Sequence, residues 1–213
     1  FIGGFPLESR FGLAQGFDTY DDRLDRVGET PGDSWTRRAE AVVSSALAWI
    51  EGRESPWFLW VHLWDPHEPY SPPEPYKTRF KGRLYDGEVA YADAALKPLF
   101  EYLERSGLDR RSLVLLTGDH GESLGEHGEA THGFLAYNST LWIPLIIAMP
   151  GLDHRTVQTP VSHADIFPTV CELLDVAAPA RLQGASLVRA MRGIPQEARS
   201  IYFESLTPFY SMG

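Results

Sequence analysis

The sequence has little cysteine: one in 213 residues, Cys171. No internal disulfide can form, and the redox compartment stays open. Cys171 lies at helical spacing in the apolar run IFPTVCELL, where a lone cysteine reads as packing rather than as a nucleophile. Long apolar runs are absent too: the longest, around residues 142–149, is strand-sized, far short of the roughly 18 residues a membrane span needs. Basic charge is scarce. Nineteen Lys and Arg stand against 29 Asp and Glu, a formal net charge of -10, which is not the footprint of a nucleic-acid binder. That acidity leaves an anionic substrate possible, because a bound divalent cation reverses the local field. Internal repeats, low-complexity tracts and a domain boundary are all missing, so one partial domain over residues 1–213 is expected. The chain opens on Phe1 in FIGGF, which reads as the end of a buried strand, and closes on YFESLTPFYSMG without a stop signal. A piece cut at both ends is expected, and any signal peptide would lie ahead of it.

What is present reads as alternating helices and strands, hence α/β with a central, mostly parallel mixed sheet flanked by helices. Asp33 or Ser34 is placed to cap a helix to about Ile50, with Ala39, Val42, Val43, Ala46, Leu47 and Ile50 as its apolar stripe. WFLWVHL (57–63) reads as a short buried strand. A proline-rich loop follows over 66–75. A helix is expected over 85–105 with Val89, Ala92, Leu96, Leu99, Phe100 and Leu103 inward, and Pro98 as a kink or boundary. Asp86, Glu88 and Asp93 read as its solvated face. SLVLLTGD (112–119) and WIPLIIAMP (142–150) read as strands, and 165–174 as a helix. Trp57, Phe58, Trp60 and Trp64 read as core and cleft wall.

Ligand-type residues gather after two of these strands, where sites in open α/β sheets collect. After WFLWVHL come Asp65 and His67, with His62 inside the strand as a core histidine. After SLVLLTGD come Asp119, His120, Glu122, Glu126, His127 and His132. A carboxylate and an imidazole side by side at a strand end can turn to one cation. The mixed donors suit zinc or manganese, and an oxygen-dominated site suits calcium or magnesium. The plain alternative for Asp119-His120-Gly121-Glu122 is a polar turn capping the next element; the buried strand before it and the His/Glu-rich stretch after it favour a site. Asp65 is a fair partner to orient His67. His127 stands between site rim and exposed loop, and His154 and His163 read as structural or surface residues.

LTGDHGESLGEHG followed by THGFLAYNSTLWIPLII resembles the sulfatase family of the alkaline phosphatase superfamily. FLWVHLWDPHEPY resembles its Pro-His-x-Pro segment, YDGEVAYADAAL its following helix, SHADIFPTVCELLDV its Asp-x-x-Pro-Thr helix, and QGASLVRAMRG its Gly-x-Ser-Leu element. The resemblance implies an alkaline-phosphatase-like fold, incomplete at both ends, and a metal-dependent hydrolase of sulfate esters acting on a small anionic ester. It implies Asp119 and His120 as ligands of one divalent metal ion (calcium, or zinc or manganese given His120). It makes His67 and His132 the catalytic histidines, with Asp65, Glu122 and His127 as supporting or substrate-binding residues. His120 stands where many sulfatases have Asn, and Gly133 where many have Lys; the two departures carry the alternative of a phosphodiesterase or phosphoethanolamine-transferase-like phosphoryl enzyme. The family's first acidic ligands and its nucleophile lie upstream of the stretch that Phe1 matches. The fragment alone is expected to be inactive, and a non-catalytic metal- or partner-binding domain is the reading from another class. The family is often periplasmic, secreted or membrane-attached, which leaves compartment and oligomeric state open.

Overall fold

Residues 1–26 and 35–212 are described by a computed structural model. The chain divides into two compact units, Phe1–Leu108 and Asp109–Gly213, described in turn.

In the first unit, β1 (Asp25–Arg26) and β2 (Trp35–Thr36) form a short antiparallel ladder, with Gly4 bridged to Thr36. Helices α1 (Ala39–Ile50), α2 (Tyr76–Arg79) and α3 (Leu84–Arg105) follow. The expected caps Asp33 and Ser34 lie outside the described residues. Helix α1 starts at Ala39, and its first amide is satisfied from far along the chain. Asp65 Oδ2 accepts the Ala39 N–H at 3.0 Å while Arg38 bonds Oδ1 at 3.1 Å. The stripe expected for α1 is buried at Ala39, Val42, Val43, Ala46 and Ile50. It packs with Leu99 of α3 in a core that Leu59, Val61 and Leu63 also join.

The segment 57–63 differs from its expectation. It enters no ladder among the described residues; only Phe1 pairs with it, through its amino group to Trp60 O and its carbonyl from His62 N–H, both 3.0 Å. Yet it keeps a strand's two-residue alternation. Leu59, Val61 and Leu63 face the core, while Phe58 and Trp60 turn to Phe17, with ring centroids at 5.8 and 6.2 Å. Phe58 is therefore 73% exposed rather than core. Helix α3 continues through Pro98, and Ala92, Leu99 and Leu103 are buried as expected, but Val89 and Phe100 are exposed. Glu88, expected in solvent, is buried beside Gly87, Tyr91 and Ala92.

Gly4 is required for a close approach, since a Cβ there would lie 2.1 Å from the Trp64 indole. Gly4→Val is expected to displace Trp64 and cost about 1–3 kcal/mol, read as a lower urea midpoint. An unchanged midpoint would mean that the indole yields freely.

In the second unit, β3 (Val114–Thr117), α4 (Asn138–Leu141), β4 (Leu145–Ala148), α5 (Ile166–Leu173), α6 (Val188–Met191) and α7 (Thr207–Met212) follow in order. β3 and β4 pair antiparallel, from Val114 opposite Ala148 to Thr117 opposite Leu145. Both registered ladders among the described residues are thus antiparallel. The parallel pattern expected of the sheet is represented there by the two bonds of Phe1. Ser162 and Asp165 form a reciprocal capping box before α5. Asp165, fully buried, also accepts the Ala185 N–H at 2.8 Å and pairs with Arg199. Among the described residues no helix is long and apolar enough to cross a membrane.

Candidate functional site

In the first unit the loop after residue 64 carries His67. Its ring lies on Trp64, centroids 3.8 Å apart, and Nδ1 meets the Glu68 carbonyl at 2.6 Å. A carbonyl only accepts, so Nδ1 carries the hydrogen and the lone pair of the neutral ring is on Nε2. His62 has the opposite arrangement: its Nδ1 accepts the Gly3 N–H at 3.3 Å, as befits a structural histidine. Asp65 bonds Arg38 and Ala39, so its carboxylate fastens the start of α1 to the end of the 57–63 segment from which the loop departs. Glu88 holds the loop itself, accepting the backbone N–H of His67 at 3.1 Å and of Ser71 at 2.7 Å. Burial pushes both carboxyls up. For Asp65 this is opposed first by the Arg38 charge, and for Glu88 first by the two amides it accepts.

In the second unit β3 delivers Asp119 and His120 at its carboxyl end. Two close contacts fix this turn. The His163 Nε2–H meets Gly118 O at 2.8 Å. Gly121 approaches Ser139 so closely that a Cβ would sit 2.2 Å from its carbonyl oxygen. Asp119 Oδ1 accepts the His120 N–H at 3.0 Å, and His120 Nδ1 donates to Gly121 O at 2.8 Å, which leaves the lone pair on Nε2. Nε2 lies 3.7 Å from Asp119 Oδ2. That is too long for a hydrogen bond. It is a separation that two atoms each about 2.0–2.2 Å from one cation can span. The His132 ring is 4.1 Å from that of His120, and its Nδ1 is held at 3.1 Å by Glu122, whose side chain is buried. Asp119, His120, Glu122 and His132 are thus brought together. His67, His120 and His132 share one device: Nδ1 anchored on an acceptor, as in histidines that use Nε2 on a metal or substrate.

The loop between these residues is internally braced. The buried Ser123 bonds Glu126 O at 3.0 Å, Glu126 accepts the Leu124 N–H at 2.6 Å, and Glu129 accepts the amides of Phe134 and Leu135 at 2.7 and 3.1 Å. His127 sits at its tip, exposed, in the left-handed region at φ 57°, stacked on Tyr137 at 3.7 Å. It is on the loop's rim rather than in the Asp119–His132 cluster.

Among the described residues no group of three or more His, Cys, Asp or Glu stands ready to hold a metal ion. Asp119 and His120 fit one side of a cation's shell: a carboxylate and an imidazole lone pair, 79% and 41% exposed at the side chain. Sequence reasoning missed Glu88 and Glu129. Glu88 had a signal, since it falls in register with Ala92, Leu99 and Leu103 on the buried stripe of α3, where a carboxylate needs a reason.

A sulfatase family profile matches residues 3–176. Among proteins of similar sequence are the uncharacterized sulfatase YidJ of Escherichia coli, 26% identical over 85% of this chain and 44% of its own, and the ulvan-active sulfatase of Formosa agariphila, 25% identical over 79% of this chain and 39% of its own. Among solved structures, the phosphonate monoester hydrolase of Agrobacterium radiobacter superposes with a TM-score of 0.70 at 22% identity, covering 89% of this chain and 51% of its own. The putative sulfatase yidJ of Bacteroides fragilis gives 0.67 at 22% identity, over 78% and 42%. The fold is therefore the α/β fold of these enzymes. The chain spans about half the length, or less, of the relatives it matches.

Proposed function

Because the chain belongs to the sulfatase family, we propose that it supplies the Asp119–His120 metal ligands and the histidines His67 and His132 to a metal-dependent hydrolase of sulfate esters. The observation that supports this best is the Asp119–His120 pair at the end of β3, with a carboxylate oxygen 3.7 Å from the imidazole Nε2 and His132 against the same ring. Two donors do not complete a shell, so the full-length protein supplies the others. A divalent ion held there would polarise the ester's non-bridging oxygen and lower the pKa of the attacking group.

This chain's own residues do the rest. His67, anchored through Nδ1, holds a proton at Nε2 when charged and gives it to the departing oxygen. His132, oriented by Glu122, donates from Nε2 to the bound anion when protonated. His127, propped on Tyr137, would contribute to binding the organic part of a small anionic ester.

A second reading, phosphoryl transfer by a phosphodiesterase or phosphoethanolamine-transferase-like enzyme, is favoured by Gly133. That residue has φ +102°, a conformation in which a side chain such as lysine is strained. The shared fold does not separate sulfur from phosphorus esters. Metal content, with paired assays on 4-nitrophenyl sulfate and bis(4-nitrophenyl) phosphate, is the test on the full-length protein. Stoichiometric metal and sulfate release are expected. Release of phosphate ester alone selects the second reading, and no metal with neither activity leaves a non-catalytic binding domain.

A further inference from the structure

We infer that Glu88 is the positioning residue of the general acid: from helix α3 its buried carboxylate grips the loop that carries His67, and proton delivery depends on that grip. This rests on the reading of His67 as the acid given above. Glu88 is 3% exposed. Its Oε2 accepts the His67 N–H at 3.1 Å and its Oε1 the Ser71 N–H at 2.7 Å, so one rigid group pins both ends of the His67–Ser71 span. The span contains Pro69 and runs straight on into Pro72 and Pro73, none of which has an amide that could fasten the loop otherwise. Each end of the grip is an amide on a carboxylate oxygen, and the Ser71 end is short.

The placement is costly. A carboxylate on the apolar stripe of a helix loses its hydration, and an apolar residue would pack there without that loss. Burial accordingly pushes its carboxyl up, with the nearby Asp65 charge adding to the shift. Both oxygens are used on loop amides, so the carboxylate orders the loop more than it strengthens the helix. The ring of His67 is set by Trp64, which lies before the loop, and by Glu68 O, which belongs to the gripped loop main chain, so a shift of the loop misaligns the ring against both. A shift of about 1 Å at His67 is enough to slow a proton transfer by up to about a hundredfold.

The test uses the full-length protein with Glu88→Ala, Glu88→Gln and His67→Ala, on two aryl esters that differ in leaving-group basicity, 4-nitrophenyl sulfate and phenyl sulfate. A lost acid hurts the poor leaving group more. Glu88→Ala is expected to lower kcat on phenyl sulfate by about 10–100-fold and on 4-nitrophenyl sulfate by less than about tenfold, with KM changed less than about threefold. His67→Ala should show the same selectivity, more steeply. Glu88→Gln keeps the shape and one accepting oxygen, and should fall between wild type and Glu88→Ala. Hydrogen exchange at the His67 and Ser71 amides, which needs no activity, should speed up in Glu88→Ala and less in Glu88→Gln.

If His67→Ala is selective and both Glu88 variants slow the two esters equally, Glu88 is a structural staple and the inference is overturned. Unchanged exchange at the two amides overturns the grip itself. If His67→Ala shows no selectivity, the acid reading fails and this inference with it.

Discussion

Replacing Asp119 and His120 together with alanine in the full-length protein is expected to strip the bound metal and lower ester hydrolysis at least about 10³-fold. A divalent ion contributes several kcal/mol of charge stabilisation in the transition state, and each 1.36 kcal/mol is tenfold in rate. The double change removes both ligands proposed at the end of β3. It should leave the fold standing. Both side chains are substantially exposed, and besides their own bonds within the turn it is held by His163 on Gly118 and by the Gly121–Thr140 backbone bond at 2.7 Å, which the variant keeps. Thermal unfolding of the metal-free variant and metal-free wild type should therefore coincide, while metal analysis separates the two as purified. Equal metal content in both would move the site away from β3.

The single change His120→Asn sharpens the result. An amide oxygen suits calcium and serves zinc poorly. Activity retained with calcium would mark an oxygen-dominated site; activity and zinc lost together would mark an imidazole-dependent one. The outcome bears on the choice between sulfur and phosphorus esters, because His120 is one of the two departures that carry the phosphoryl reading.

How much of this was legible beforehand depends on how local the cause is. Helix α1, helix α3 and the strands β3 and β4 follow from apolar spacing, and each appears within a few residues of its expected place. The Asp119–His120 pair was legible because a strand and a glycine turn position adjacent side chains by themselves. The segment 57–63 was half legible. Its alternation survives, but a ladder depends on partners that a local pattern does not contain, and only Phe1 meets it. Glu88 is not legible from its type, because a charged residue on a helix reads as solvated. Its burial is decided by the loop it grips, 17–21 residues earlier in the chain. The bonds of Asp65 to Ala39 and Arg38 escape a local reading for the same reason, since those partners lie 26–27 residues away in the chain.

The largest stability loss is expected from Asp165→Ala, at about 3–5 kcal/mol, the range for breaking a buried, hydrogen-bonded charge. Asp165 ties three stretches of the second unit together. Its carboxylate accepts the N–H of Ser162 and of Ala185, each at 2.8 Å, and pairs with Arg199. Its backbone carbonyl accepts Thr169 Oγ1 at 2.6 Å, which in turn accepts the Leu187 N–H at 2.9 Å. Alanine would leave two of these amides without acceptors, and each such orphan costs about 1–3 kcal/mol. Asp165→Asn keeps one oxygen and the shape, and should cost about half as much.

The loss should reach the candidate site as well. His163, in the same turn as Asp165, holds Gly118, the residue before Asp119. A loosened turn frees the end of β3, so metal affinity should fall together with stability, although Asp165 is not a ligand. Urea unfolding measures the first effect and metal titration at a temperature where the variant is folded measures the second. A variant within about 1 kcal/mol of wild type would show that the Arg199 and amide contacts are dispensable. Full stability loss with unchanged metal affinity would show that the His163–Gly118 contact does not position Asp119.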